Sequence, residues 1–150
     1  MTTPAGKTVV SVDPHRLRLT NPEGTDGVLL GMRCPDCGIY LFGAALFCQA
    51  CASGNLEAVE LSRRGSLYSY TTVRVPPAGW PGPVPYLLGE VELPEGPHVL
   101  AEVVDCPETR LKVGMAVELT LKLVQPEDSE QARAVYKWRP ALTLAAEDAP

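Results

Sequence analysis

From Glu57 onward, apolar and polar side chains alternate with a period of two. Leu67, Thr71, Val73 and Val75 fall on one side of a segment, with Tyr68, Tyr70, Thr72 and Arg74 on the other. Leu87, Gly89, Val91 and Leu93 make a second such face, and Val99, Ala101 and Val103 a third. Val117, Leu119, Leu121 and Leu123 make a fourth, and Val135 to Arg139 a fifth, with Tyr136 and Trp138 on one side. Alternation over short segments, with Gly and Pro turns between them, predicts strands buried on one face. Gly65 and Gly89 stand where a small barrel needs bulges or sharp bends. Pro94-Glu95-Gly96 predicts a tight turn, and Asp105 to Gly114 has room for one helical turn. Five strands with their longest excursion after the third fit a five-stranded Greek-key barrel of the OB type over residues 57–140.

Upstream the period lapses. Residues 1–27 are interrupted by Pro4, Pro14, Pro22, Gly24 and Gly27. Leu17 and Leu19 alternate with Arg16 and Arg18, too briefly to assign. The segment reads as an N-terminal arm that holds a short helix, orders against a partner or hangs loosely; His15 in it reads as solvated.

Residues 28–56 carry the densest chemistry. Cys34-Pro-Asp-Cys37-Gly38 and Cys48-Gln-Ala-Cys51 are two C-x-x-C knuckles. Two such pairs at short range can set four thiolates at the corners of a tetrahedron, the closed coordination of a structural Zn²⁺ site. Iron also accepts four thiolates, so the donor set favours zinc without excluding iron. Val28 to Met32 leads into the first knuckle, Ile39 to Phe42 leaves it, and Ala44 to Phe47 returns to the second. So few apolar residues build no core of their own, and metal binding must supply much of the module's folding free energy. Tyr40, Phe42 and Phe47 are placed to cover the metal or seal the module against the barrel.

Composition narrows the setting. The chain has 150 residues, 45% hydrophobic and 21% charged, enough for a packed core. Met1 to Thr20 contains no apolar run of signal-peptide length, and no stretch approaches a membrane span. A reducing, cytoplasmic compartment is therefore expected, where the five cysteines point to metal rather than disulfides. A formal charge of -5 makes the chain a poor ligand for a phosphate backbone. Single-stranded nucleic-acid binding is still the competing OB-fold function, with Tyr68, Tyr70, Tyr136 and Trp138 as candidate stacking platforms. Glu90, Glu92, Glu102 and Glu118 share their strands and argue against a positive groove.

Catalysis finds little support. Four thiolates leave a metal no open position for water or substrate. Cys106, the fifth cysteine, has acidic neighbours in Asp105 and Glu108, which oppose thiolate formation. No nucleophile elbow, P-loop or dinucleotide fingerprint is present. Two segments stand outside the barrel strands. Pro76 to Pro85, P-P-A-G-W-P-G-P-V-P, is a proline-stiffened loop carrying Trp80, and it looks too short to fold back over the barrel. The tail, residues 141–150, starts apolar with Leu142 and Leu144 and ends acidic.

The order of parts resembles a family of zinc-ribbon and OB-fold accessory proteins, long catalogued as a domain of unknown function. The resemblance runs from about Met32 to Arg139 and is most specific at G-S-L-Y-S-Y-T (Gly65 to Thr71), P-Y-L-L-G-E-V-E (Pro85 to Glu92) and G-M-A-V-E-L (Gly114 to Leu119). Members partner thiolases, including benzoylsuccinyl-CoA thiolase, bridge acetoacetyl-CoA thiolase to hydroxymethylglutaryl-CoA synthase, or belong to enoyl-CoA hydratases. The resemblance implies a metal at Cys34, Cys37, Cys48 and Cys51. It also implies a non-catalytic accessory subunit in a hetero-oligomer with a thiolase-like catalytic chain. An accessory subunit of a hydratase, or a scaffold bridging acyl-CoA enzymes, is the alternative. Acyl-CoA would lie at or near the shared interface. Arg63, Arg64, Lys137 and Arg139 are candidate contacts to its phosphates, and Trp80, Leu142 and Leu144 candidate contacts to the partner. One departure stands out: a Pro-Pro-Arg-like run common before the second knuckle is replaced here by Gly43-Ala44-Ala45-Leu46-Phe47.

Overall fold

The structure is a computed structural model and describes residues 8–80, 82–125 and 131–141. It is built from two sheets. Strands β6 (Arg64–Val73), β7 (Tyr86–Glu92), β8 (His98–Val103), β9 (Ala116–Val124) and β10 (Gln131–Pro140) form the first. Their neighbour order is β10-β8-β7-β6-β9, and β9 pairs again with β10, so the sheet closes into a five-stranded barrel. All joins are antiparallel except β8 to β10, which meet in parallel at Val103 and Trp138. A 3-10 turn at Glu108–Arg110 is the only helical element in the excursion before β9. This is the OB-type barrel read from the periodicity.

The inward faces read from the sequence hold in β7 and β8, where Val91, Leu93, Val99, Ala101 and Val103 are buried. They hold in β9 only as far as Leu119. Beyond it, Leu121 is only partly buried, packed against the core and beside Gly27, and Leu123 is exposed beside Gly24. In β6 the reading fails after Leu67. A bulge at Tyr68 lets Leu67 pair with Val91 and Ser69 with Glu90, so Tyr70 and Thr72 share the side of Gly89 and Leu87. Thr71 and Val75, expected inside, are exposed. The extra residue shifts the alternation by one, which reverses every side chain after it.

Gly65 and Gly89, expected at bulges or sharp bends, instead mark close approaches between strands, and the bulge falls at Tyr68. A Cβ on Gly65 would stand 2.7 Å from Val91 Cγ1, and one on Gly89 2.7 Å from Val103 Cγ2. Trp138 fills the barrel, fully buried, with Nε1 donating to Val99 O at 3.2 Å. A buried indole cannot be a stacking platform. Tyr136 is also committed, edge-on to Phe42 with centroids 5.8 Å apart.

Residues 8–27 are not a pendant arm. Strand β1 (Thr8–Ser11) lies parallel to the first half of β10, Thr8 opposite Gln131 through Ser11 opposite Ala134. Strand β2 (Leu17–Leu19) opens the second sheet by pairing with β3 (Gly27–Arg33). The far half of β3 holds β4 (Tyr40–Phe42) on one edge and β5 (Glu57–Glu60) on the other. Leu30 shows the sharing of one edge: its N–H donates to Arg16 O and its carbonyl accepts from Gly43. The ribbon sheet thus recruits strands from both sides of residues 28–56. Its Leu17, Leu29 and Leu61 join Leu67, Val91, Val117 and Trp138 in one core.

Candidate metal centre

Each knuckle is a hairpin-like turn closed on its first cysteine. Gly38 N–H donates to Cys34 O at 2.6 Å, and Cys34 N–H to Ile39 O at 2.9 Å. The second repeats the pattern, with Ala52 N–H to Cys48 O and Cys48 N–H to Ser53 O, both 2.8 Å. The residue after each second cysteine is left-handed, Gly38 at φ +86° and Ala52 at φ +66°. That conformation turns the chain so both sulfurs of a knuckle converge. Strands β3 and β4 carry the first knuckle; the second is tied to it by Asp36, which accepts from Ser53 Oγ and from Asn55 Nδ2 at 3.3 Å.

The four Sγ atoms of Cys34, Cys37, Cys48 and Cys51 all lie within 4.8 Å of one another. Cys34 to Cys51 is 3.6 Å and Cys37 to Cys48 is 3.5 Å. A tetrahedron with metal–sulfur bonds of about 2.3 Å has edges of about 3.8 Å, so the donor set fits a metal ion of that size. Cys34 and Cys48 are buried, and Cys37 and Cys51 are exposed. Without a cation the sulfurs cannot share charge evenly. Burial acts to raise the Cys48 thiol, but N–H groups of Cys51 and Ala50 and the sulfurs of Cys37 and Cys34 bring it down to about 7. At Cys51 the Ser53 N–H lowers the thiol, yet the other three sulfurs and burial push it up to about 12. A dication removes this conflict by stabilising all four thiolates.

Phe42 seals the ribbon to the barrel through Tyr136 and lies under the Arg16 guanidinium, 5.4 Å from its centroid. Phe47 instead stays largely exposed.

The proline-rich loop does reach back. Trp80 stacks on Tyr86 at 3.9 Å, and its Nε1 donates to Pro83 O at 3.1 Å. Lys137 Nζ sits 5.5 Å from its centroid. The turn at Gly82 lies against the indole, giving the loop a compact form that its proline content did not reveal. Trp80 and Lys137 line a groove of about 500 Å³. Leu142 and Leu144 lie outside the described residues.

The basic candidates Arg63, Lys137 and Arg139 are each held by a carboxylate. Arg63 pairs with Asp26, Lys137 with Glu102, and Arg139 Nε donates to Glu118 Oε2 at 2.8 Å. Arg64 faces the same Glu118 from the other side, because β9 runs between β6 and β10. Burial raises the Cys106 thiol, with Arg110 only partly opposing it, so no activated nucleophile sits there. His98 binds Glu90 through Nδ1 at 2.6 Å, while Ser69 Oγ donates to the other Glu90 oxygen at 3.0 Å. Those two bonds, His98 first, hold the Glu90 carboxyl below its ordinary range. The sequence set Glu90 and Glu92 against a positive groove without revealing this cluster.

Residues 58–122 match the family model described as the C-terminal OB-fold domain of ChsH2. A DUF35 domain-containing scaffold protein of Pyrococcus furiosus is 36% identical over 76% of this chain and 84% of its own. The chain belongs to the DUF35 family. A benzoylsuccinyl-CoA thiolase subunit of Thauera aromatica is 32% identical, over 78% of this chain and 79% of that one. The solved Ltp2-ChsH2(DUF35) aldolase superposes with a TM-score of 0.58 at 28% identity, covering 77% of this chain and 86% of that one. The DUF35 barrel and the four-cysteine cluster are thus joined in one chain, and no helix of the described residues is long and apolar enough to cross a membrane.

Proposed function

We propose that this protein is the non-catalytic accessory subunit of a thiolase-type acyl-CoA enzyme. The observation that carries the reading is similarity over most of both chains to a thiolase subunit, in a fold whose best-built site is a four-thiolate centre. Zinc suits that centre by donor type and size, held by Cys34, Cys37, Cys48 and Cys51. Bound there, it would cross-link the two knuckles and leave no position for substrate. The reacting nucleophile and base would come from the catalytic chain, since the only cysteine outside the cluster has a raised thiol pKa.

Arg64 and Arg139, which flank Glu118 from the two neighbouring strands, are the candidate contacts to acyl-CoA at the shared interface. Guanidinium forks suit phosphate. Lys137 and Arg63 are weaker candidates, each committed to its own acid. Trp80 presents its indole at a groove wall and remains a candidate partner contact, as do Leu142 and Leu144 in the tail.

A tagged copy purified from its own cell, followed by mass spectrometry and sedimentation, tests the reading. The expected result is a stoichiometric complex with an acyl-CoA enzyme subunit, cytoplasmic and free of nucleic acid. A chain recovered only with single-stranded nucleic acid would replace this reading with the competing OB-fold function.

A further inference from the structure

Four large apolar side chains are left bare on a strip around one groove, Leu46 joining it as the chain neighbour of Phe47. Leu46 and Phe47, ahead of the second knuckle, are 83% and 65% exposed, and Tyr68 and Leu100, on the barrel, are 55% and 57% exposed. Val75 and Val113 are as bare but stand apart in separate loops. The strip's members are linked. Phe47 and His98 line one groove of about 500 Å³ with Tyr40, Phe42, Ala44 and Pro97, between ribbon and barrel. The Tyr68 ring lies 4.5 Å from the His98 ring. Leu100 stands across from Glu90, and His98 across from Glu92. The bulge of β6 belongs to the same strip, because it is Tyr68 that it pushes outward.

The border of the strip on the barrel side is acidic. The single imidazole of His98 lies between Glu90, at 2.6 Å, and Glu92, at 3.8 Å. One imidazole between two carboxylates leaves the trio negative whatever its protonation state. Ribbon and barrel share a core, so the groove between them is preformed and costs little ordering to fill. A rimmed apolar strip of this kind marks an interaction surface. The outer face of the second and third barrel strands, β7 and β8, is also where OB folds commonly bind ligands.

We propose that this strip, from Leu46 and Phe47 across the groove to Tyr68 and Leu100, is the face on which the catalytic subunit docks, and that the subunit meets it with an apolar prominence flanked by Arg or Lys. The inference rests on the accessory-subunit reading. The negative border selects a basic partner surface, and it rejects both a phosphate backbone and a second copy of this acidic chain. Phe47 and Leu100 fill the apolar contact; Glu92, the less shielded acid, steers the approach.

The test uses the acyl-CoA enzyme subunit that co-purifies with the wild-type chain, titrated against Phe47→Ser, Leu100→Asp, Glu92→Lys and the distant control Val113→Ser. Circular dichroism and metal content verify that each variant is folded. Phe47→Ser and Leu100→Asp are expected to raise Kd about tenfold or more, as loss of an interface anchor does. Glu92→Lys is expected to slow association about threefold and flatten its salt dependence, and Val113→Ser to change nothing. Unchanged Kd in both apolar variants would place docking elsewhere and leave the accessory-subunit reading standing. A wild-type chain that retains no acyl-CoA enzyme would end both. A wild-type dimer split by Leu100→Asp would give the face to a second copy and overturn the proposal.

Discussion

Ala52 carries the conformation that the first knuckle gives to a glycine. Its φ of +66° puts a Cβ where an L-residue meets the carbonyl that follows, a cost of about 1–2 kcal/mol. Ala52→Gly relieves that strain but adds freedom to the unfolded chain. The net expectation is about 1 kcal/mol of stabilisation, read as a rise of about 2–4 °C in Tm; a fall would show that Ala52 is held by packing. Gly65 is the opposite case, since a Cβ there meets the backbone and side chain of its β7 neighbours. Gly65→Ala should destabilise by about 1–3 kcal/mol in urea unfolding, and an unchanged midpoint would mean β6 shifts freely. Asp26 supplies a pH dependence. The Arg63 hydrogen bond holds its carboxyl below the ordinary 3.8, so the folded state binds its proton less readily than the unfolded chain. Its contribution is complete above pH 4 or so and fades as pH falls through the lowered value. Asp26→Asn should therefore lower Tm at neutral pH and flatten its decline in acid; equal slopes for variant and wild type would rule the pair out. The cysteines were legible because metal chemistry dictates their spacing. The ion pairs of Arg63, Lys137 and Arg139 were not, because they join residues from 21 to 37 positions apart.

At the scale of elements, periodicity revealed β7 and β8 in full and the start of β9, since each keeps one face buried throughout. It misread β6 because a one-residue bulge leaves no mark in an alternation of Thr, Tyr and Ser. It missed β1 altogether: Thr8 to Ser11 finds its parallel partner more than a hundred residues later. The ribbon changes most in physical meaning. Read alone, residues 28–56 depend on metal for folding; in the structure their sheet shares its core with the barrel through Leu17, Leu29 and Leu61. Metal removal should then weaken the whole chain rather than release a separate module. The purified protein is expected to hold one zinc, and chelation to lower a single calorimetric transition. Two resolved transitions after chelation would show that ribbon and barrel fold independently. Cys48→Ser should mimic the chelated protein, because three thiolates do not close the site.

The molecule as a whole joins a four-cysteine ribbon to a barrel with Trp138 at its centre. The closed thiolate centre, the high-pKa Cys106 and the paired surface cations all favour support over turnover. The resemblance seen in the sequence reached the family; the partner's identity was never legible, because the reacting residues would lie in another polypeptide. The most direct measurement of the central claim is acyl transfer between CoA thioesters by the purified catalytic subunit, with and without this chain. Turnover is expected to rise markedly when the chain is added, while the chain alone stays inactive. Full turnover by the catalytic subunit alone, or acyl transfer by this chain alone, would contradict the account.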